Sequence, residues 1–148
     1  MLTAKDIMTK EIITVKKDTS ISELSRLFIE HKVNGIPVVD DENAVIGMVT
    51  QGDLIEQNKS LHIPTVITLF DAVLFLESEK KFEADVKKLT GTKVEDIYSS
   101  KVVTVSLTTD LGDIASIMSE KDVHTLPVVD NGKLVGIIGK LDLIRAMA

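Results

Sequence analysis

Apolar side chains recur at Ile21, Leu24, Leu27 and Phe28, and His31 continues the stripe one turn on, with polar residues between them. That spacing predicts an amphipathic helix. Ser20 with Glu23 supplies a capping signal, because a hydroxyl at the N-cap accepts from the free N–H groups of the first turn. Ahead of the helix, Ile12 to Val15 reads as a short strand. Behind it, Pro37 opens the apolar run PVVD, a place where the missing N–H of proline does least harm. The run VIGMV reads as its hairpin partner, and a further helix begins at TQGD. The pattern is strand-helix-strand-strand-helix.

The same pattern is written again 90 residues on, where DIYSSKVVTV and LPVVD match DIMTKEIITV and IPVVD, and eleven of the 35 positions from Asp6 to Asp40 are identical. Asp110 with Asp113 caps the corresponding helix, and Pro127 opens the corresponding strand. After a one-residue slip between Val39 and Val45, VIGMVTQGDLI matches LVGIIGKLDLI. The slip falls at a hairpin tip, where length changes are tolerated, and the second copy carries Asn131-Gly132, a strong two-residue hairpin signal. One such unit is too small to bury its apolar face well, so two copies are expected to pack across a pseudo-two-fold axis. The fold class is α/β, with a first repeat at 1–58, a helical insert at 59–92 and a second repeat at 93–148.

The insert matches neither copy. Pro64 stands near the start of TVITLFDAVLFL, apolar on nearly every face, and EKKFEADVKKLTG follows with Phe82, Val86 and Leu89 on one stripe and Gly91 as a C-cap. These helices either cover the sheet edges of their own subunit, bury themselves against a second one, or close over a cleft. The small size of the host favours a dimer role.

Charge and composition narrow the function. With 17 basic and 23 acidic residues the net charge is −6, the wrong sign for a groove that neutralises many phosphates. One Tyr and no Trp leave little for base stacking, so no nucleic-acid partner is expected. There are no cysteines, which excludes disulfides and thiolate metal sites. The run IPTVITLFDAVLFL is too short to span a bilayer and holds Asp71, and MLTAKDIM has no signal-peptide core. The expectation is a cytoplasmic protein without a membrane partner. No Ser-His-Asp or Cys-His arrangement points to an enzyme, and no His/Asp/Glu spacing to a metal site.

GMVTQGD (47–53) and GIIGKLD (136–142) carry the candidate chemistry. A carboxylate can accept from both hydroxyls of a ribose, a helix start suits a phosphate, and backbone groups beside a strand proline can pair with an adenine edge. Asp53 and Asp142 offer the first feature. The helices they begin offer the second, and Asn34 to Pro37 with His124 to Pro127 the third. The same residues have a plainer reading, since Thr50 with Asp53 is a capping box that needs no ligand, and Asp142 is explained equally well as a first-turn acid.

The full ordered set, DIMT, TV, VNGIPVVD and GMVTQGDLI, repeated, resembles a tandem pair of CBS domains, named after cystathionine beta-synthase. The resemblance implies α/β units paired through their sheets, a homodimer built as a flat disc, and an adenosine ligand in clefts between repeats. It implies composite sites. One cleft would combine Val102, Val103, His124, Thr125 and Pro127 with Thr50 and Asp53, and the other Ile12, Ile13, Asn34, Gly35 and Pro37 with Gly139 and Asp142. His124 lies where related sensor subunits place a basic phosphate contact, although a lone histidine beside an apolar strand is also an ordinary surface residue. His31 and His62 have less to recommend them. The second cleft lacks the threonine hydroxyl and has neutral Asn34, so unequal clefts are expected, the one with Asp53 binding more tightly. The implied function is a regulatory sensor of AMP, ADP, ATP or S-adenosylmethionine acting through a dimer or a separate effector. It needs no cofactor, and Mg²⁺ would arrive only with a triphosphate. The alternative is an interaction module with degenerate clefts.

Overall fold

The computed structural model describes residues 1–57 and 92–148, so the helices expected in the insert lie outside the described residues. In chain order the elements are α1 (Ala4–Ile7), α2 (Ile21–His31), β1 (Gly35–Val39) and β2 (Val45–Thr50). A helix α3 then starts at residue 51 and is described to residue 57. After a 3-10 turn at Val94–Asp96 come α4 (Leu111–Glu120), β3 (Thr125–Asp130), β4 (Lys133–Gly139) and α5 (Lys140–Met147).

The helix caps stand where the spacing placed them. The Ser20 hydroxyl accepts from Glu23 N at 3.1 Å, and the Asp110 carboxylate from Asp113 N at 2.8 Å. Glu23 does not reach back to complete a capping box and instead pairs with Arg26 one turn on. Ile21, Leu24 and Phe28 are buried and Leu27 packs against the same core, while His31 is exposed. Lys32 closes α2 in the left-handed region at φ 52°, its N–H on Phe28 O.

Two local expectations are corrected. The strand expected at Ile12 to Val15 shrinks to one parallel bridge, Val15 to Val38, in which Val15 N donates to Pro37 O at 3.1 Å and Val39 N to Val15 O at 2.9 Å. A turn at once takes over, with Thr19 N on Lys16 O. The hairpin strands also begin two residues before their prolines. Pro37 pairs with Met48 and Pro127 with Ile137. Met48 and Ile137 turn their own backbone groups to the other side, towards Ser99 and Thr9, so neither needs a proline N–H.

The hairpin tip of the second repeat is as the Asn-Gly pair predicts, with φ of 51° at Asn131 and 78° at Gly132. The first repeat closes through a longer loop, in which the Asp40 carboxylate accepts from Glu42 N and Ala44 N, both at 2.9 Å. That loop reaches the other repeat: Asn43 Nδ2 donates to Leu134 O, and Leu134 N to Asn43 O, each at 3.0 Å.

The two repeats exchange their leading segments. Residues 2–9, written at the head of the first repeat, pack on the second: Leu111 N donates to Leu2 O, Ala4 N to Thr109 O, and Thr9 exchanges both backbone bonds with Ile137. Residues 92–99 do the same to the first repeat, with Ile21 N on Thr92 O, Val94 N on Thr19 O, and both bonds exchanged between Met48 and Ser99. Each sheet therefore runs from a residue of its own repeat (Val15 or Val105), through the hairpin, to a residue of the other strap (Ser99 or Thr9). The cores record the same exchange. Val94 is fully buried with Leu24, Phe28, Ile36 and Val49, and Ala4 is fully buried with Ile114, Leu126, Val128 and Ile138. Burying one side chain of valine size is worth about 1.5–3 kcal/mol, so Val94 anchors its strap by packing as well as by backbone bonds, and the single methyl of Ala4 contributes less.

Candidate functional site

The strands lift the loops before β1 and β3, and the starts of α3 and α5, to one place between the repeats. A cavity of about 530 Å³ opens there, lined by Asn34, Gly35, Met48, Thr50, Gln51 and Gly52 from the first repeat and by Asp122, Val123, His124, Thr125 and Lys140 from the second. Asn34 corresponds to His124, Gly35 to Thr125 and Gln51 to Lys140, so the cavity straddles the axis relating the repeats. Gln51 ties two of its walls together, its N–H on Asn34 O at 3.1 Å and its Nε2 on Val33 O at 2.7 Å.

Of the residues singled out in the sequence, Thr50, His124, Thr125, Asn34 and Gly35 meet on this wall, drawn from both expected clefts. Pro37 and Pro127 are fully buried beneath it and serve the strands. Ile12, Ile13, Val102 and Val103 are half-buried and do not line the cavity; Ile13 packs on the first core and Val103 on the second. Asp53 faces a separate recess of about 350 Å³ on the other side of the α3 start, with Glu56, Gln57, Asp96 and Ile97.

The two aspartates differ in their surroundings. Thr50 and Asp53 form a reciprocal capping box: Thr50 N donates to Asp53 Oδ2 at 2.9 Å, and Asp53 N to Thr50 Oγ1 at 3.2 Å. The plainer reading of that pair is thus present in the geometry, and it leaves Asp53 Oδ1 without a hydrogen bond among the described residues. Asp142 accepts from Gly139 N at 2.8 Å, from Thr9 Oγ1 at 3.2 Å and from Arg145 Nη1 at 3.1 Å.

Lys140 is the residue that sequence reasoning missed. Its signal was available, since it replaces Gln51 one position after the cap in the second copy of the motif. Among the described residues the Lys140 and His124 side chains make no ion pair or hydrogen bond, and Asp122 is the single carboxylate on the wall. No group of three or more metal-ligating side chains occurs among the described residues, and no helix there is long and apolar enough to cross a membrane.

Two α/β repeats that exchange their leading straps around a shared cavity define a tandem-repeat pair. The CBS domain family model matches residues 4–60 and 94–148, and the chain belongs to that family. An uncharacterised protein of Methanocaldococcus jannaschii is 30% identical, over 97% of this chain and 89% of that one. The chloroplast protein CBSX2 of Arabidopsis thaliana is 32% identical, over 97% of this chain and 63% of its own length. A crystal structure of CBSX2 in complex with AMP superposes with a TM-score of 0.75 at 29% identity, covering 99% of this chain and 96% of that one. The CBS domain pair of a further protein, MJ0100, shares the fold with a TM-score of 0.70 at 24% identity, covering 99% of this chain and 96% of that one.

Proposed function

We propose that this chain is a regulatory module that binds an adenosine ligand between its repeats and signals through the relative placement of the two halves. The observation that carries the reading is the cavity whose walls come from both repeats, with Lys140 and His124 on its wall and without a side-chain partner among the described residues. The AMP complex of CBSX2, similar at 29% identity, supports it. In this reading the ribose hydroxyls donate to Asp53 Oδ1 in the recess beside α3, and the ligand passes over the α3 start so that its phosphate enters the cavity beside Lys140 and His124. A cation beside an anionic oxygen gives the stronger, charge-assisted class of hydrogen bond. A ligand that touches both repeats favours one arrangement of them, which is what a signal requires. The output then passes to a second copy or a separate effector.

One observation favours a second ligand of the same class. The recess at Asp53 also holds Glu56 and Asp96, which suits a cationic end such as the sulfonium and ammonium of S-adenosylmethionine. Calorimetric titration with AMP, ADP, ATP and S-adenosylmethionine decides between them. Binding by the phosphorylated ligands with weaker response to S-adenosylmethionine is the expected result. No binding of any of the four at millimolar concentration overturns the reading.

A further inference from the structure

Asp53 and Asp142 hold corresponding places, and each uses Oδ2 to cap its own helix. The second oxygen separates them. Asp53 Oδ1 accepts nothing among the described residues, and the side chain one turn on is Glu56, a like charge in the same recess. Asp142 Oδ1 accepts from both Thr9 Oγ1 and Arg145 Nη1, at 3.2 and 3.1 Å. Arg145 stands where Glu56 stands in the first repeat. The Asp142 side chain is only 12% exposed, whereas Arg145 is 71% exposed and lies over it from outside.

We propose that Arg145 and Thr9 latch the Asp142 cleft shut, so that a framework with two matching positions binds one adenosine nucleotide per chain, at Asp53. The proposal rests on the nucleotide-binding reading above. To use Asp142, a ribose would have to replace a charged donor with a neutral hydroxyl on a largely buried oxygen, and charge-assisted bonds are roughly twice as strong as neutral ones. An exposed ion pair alone would be a weak barrier. Thr9 makes it a firmer one, because its backbone is fixed to Ile137 by both hydrogen bonds, so that its hydroxyl withdraws only by leaving its rotamer or by movement of the strap. The matching residue, Ser99, turns its hydroxyl the other way and accepts from Lys101 N at 3.2 Å. Among the described residues nothing equivalent closes Asp53.

Calorimetric titration with AMP reads the stoichiometry. The wild-type chain should take one AMP. Arg145→Ala, and independently Thr9→Val, should take two, the second within about tenfold of the first in affinity. Asp142→Ala combined with Arg145→Ala should return the count to one. A wild-type chain that takes two overturns the latch and leaves the nucleotide reading standing, and so does an Arg145→Ala variant that still takes one. A wild-type chain that takes none, with one site gained in Arg145→Ala and lost again without Asp142, upholds the latch and removes the ligand from Asp53. Absence of binding in both chains overturns the latch and the nucleotide reading together.

Discussion

Tyr98 lies across the α-carbon of Gly47, so that a β-carbon on Gly47 would meet the ring and stand 2.5 Å from the carbonyl oxygen of Ser99. The two residues come from different sequence repeats. Their approach holds the strap of the second repeat against β2 of the first, and Met8 over Gly136 is the matching contact on the other side.

Gly47→Ala is expected to cost about 1–3 kcal/mol in urea unfolding, the range for overpacking a tight site. Gly136→Ala should cost less, because there the nearest atom is the sulfur of Met8, a flexible side chain that can swing aside. The Ser99 carbonyl beside Gly47 is backbone and is tied to Met48. Equal costs at the two glycines would contradict this difference.

Removal of residues 1–9 should loosen the second repeat and spare the first. Hydrogen exchange reads this directly. The amides of Leu111 and Ile137 donate to Leu2 O and Thr9 O and should lose protection. The amide of Met48, which donates to Ser99 O, should keep its own. Uniform loss across both repeats would show that the straps are not repeat-specific.

Asp6 gives a pH dependence. Its carboxylate accepts from Thr3 N at 2.9 Å and Thr3 Oγ1 at 3.1 Å, and the backbone N–H first, then the hydroxyl, hold it below the usual aspartate range. A carboxylate lowered by folding stabilises the fold above its unfolded value and loses that contribution as pH falls through its folded value. Asp6→Asn should therefore melt below wild type at neutral pH, by a small margin because the group is exposed, and the gap should close as acid protonates Asp6. A gap that widens in acid would have the wrong sign.

Lys140→Ala should weaken AMP by about tenfold, the scale of one hydrogen bond to a charged group, and leave adenosine nearly unchanged. Calorimetry with the two ligands side by side measures the difference. Equal weakening of both would place Lys140 against the base or ribose instead of the phosphate.

Much of this architecture was legible in the chain. The helix stripe at Ile21, Leu24 and Phe28, the caps at Ser20 and Asp110, and the hairpin at Asn131-Gly132 are decided within a turn or two of sequence, because each depends on local dihedrals and on which side chains share a face. The repeat, read from eleven identities and a slip at a hairpin tip, implied two matched units around an axis. The motif pair also pointed to Thr50, His124, Thr125, Asn34 and Gly35, which meet on one wall.

What the sequence determined by itself was therefore the local grammar of each repeat, its duplication and the residue types available for a ligand. Tertiary structure alone decided which strap serves which core. Thr9 lies 133 positions from Asp142 and still donates to it, and Ser99 bonds Met48 from beyond the insert. Such pairings depend on which sheet edge is left open, and periodicity in one segment carries no trace of an edge in another. The same long-range placement separated Asp53 from Asp142. The two look equivalent in GMVTQGD and GIIGKLD; Arg145 is local to Asp142, three positions on in the same helix, but only the fold brings the Thr9 hydroxyl onto Asp142, and among the described residues Asp53 Oδ1 receives no such donor.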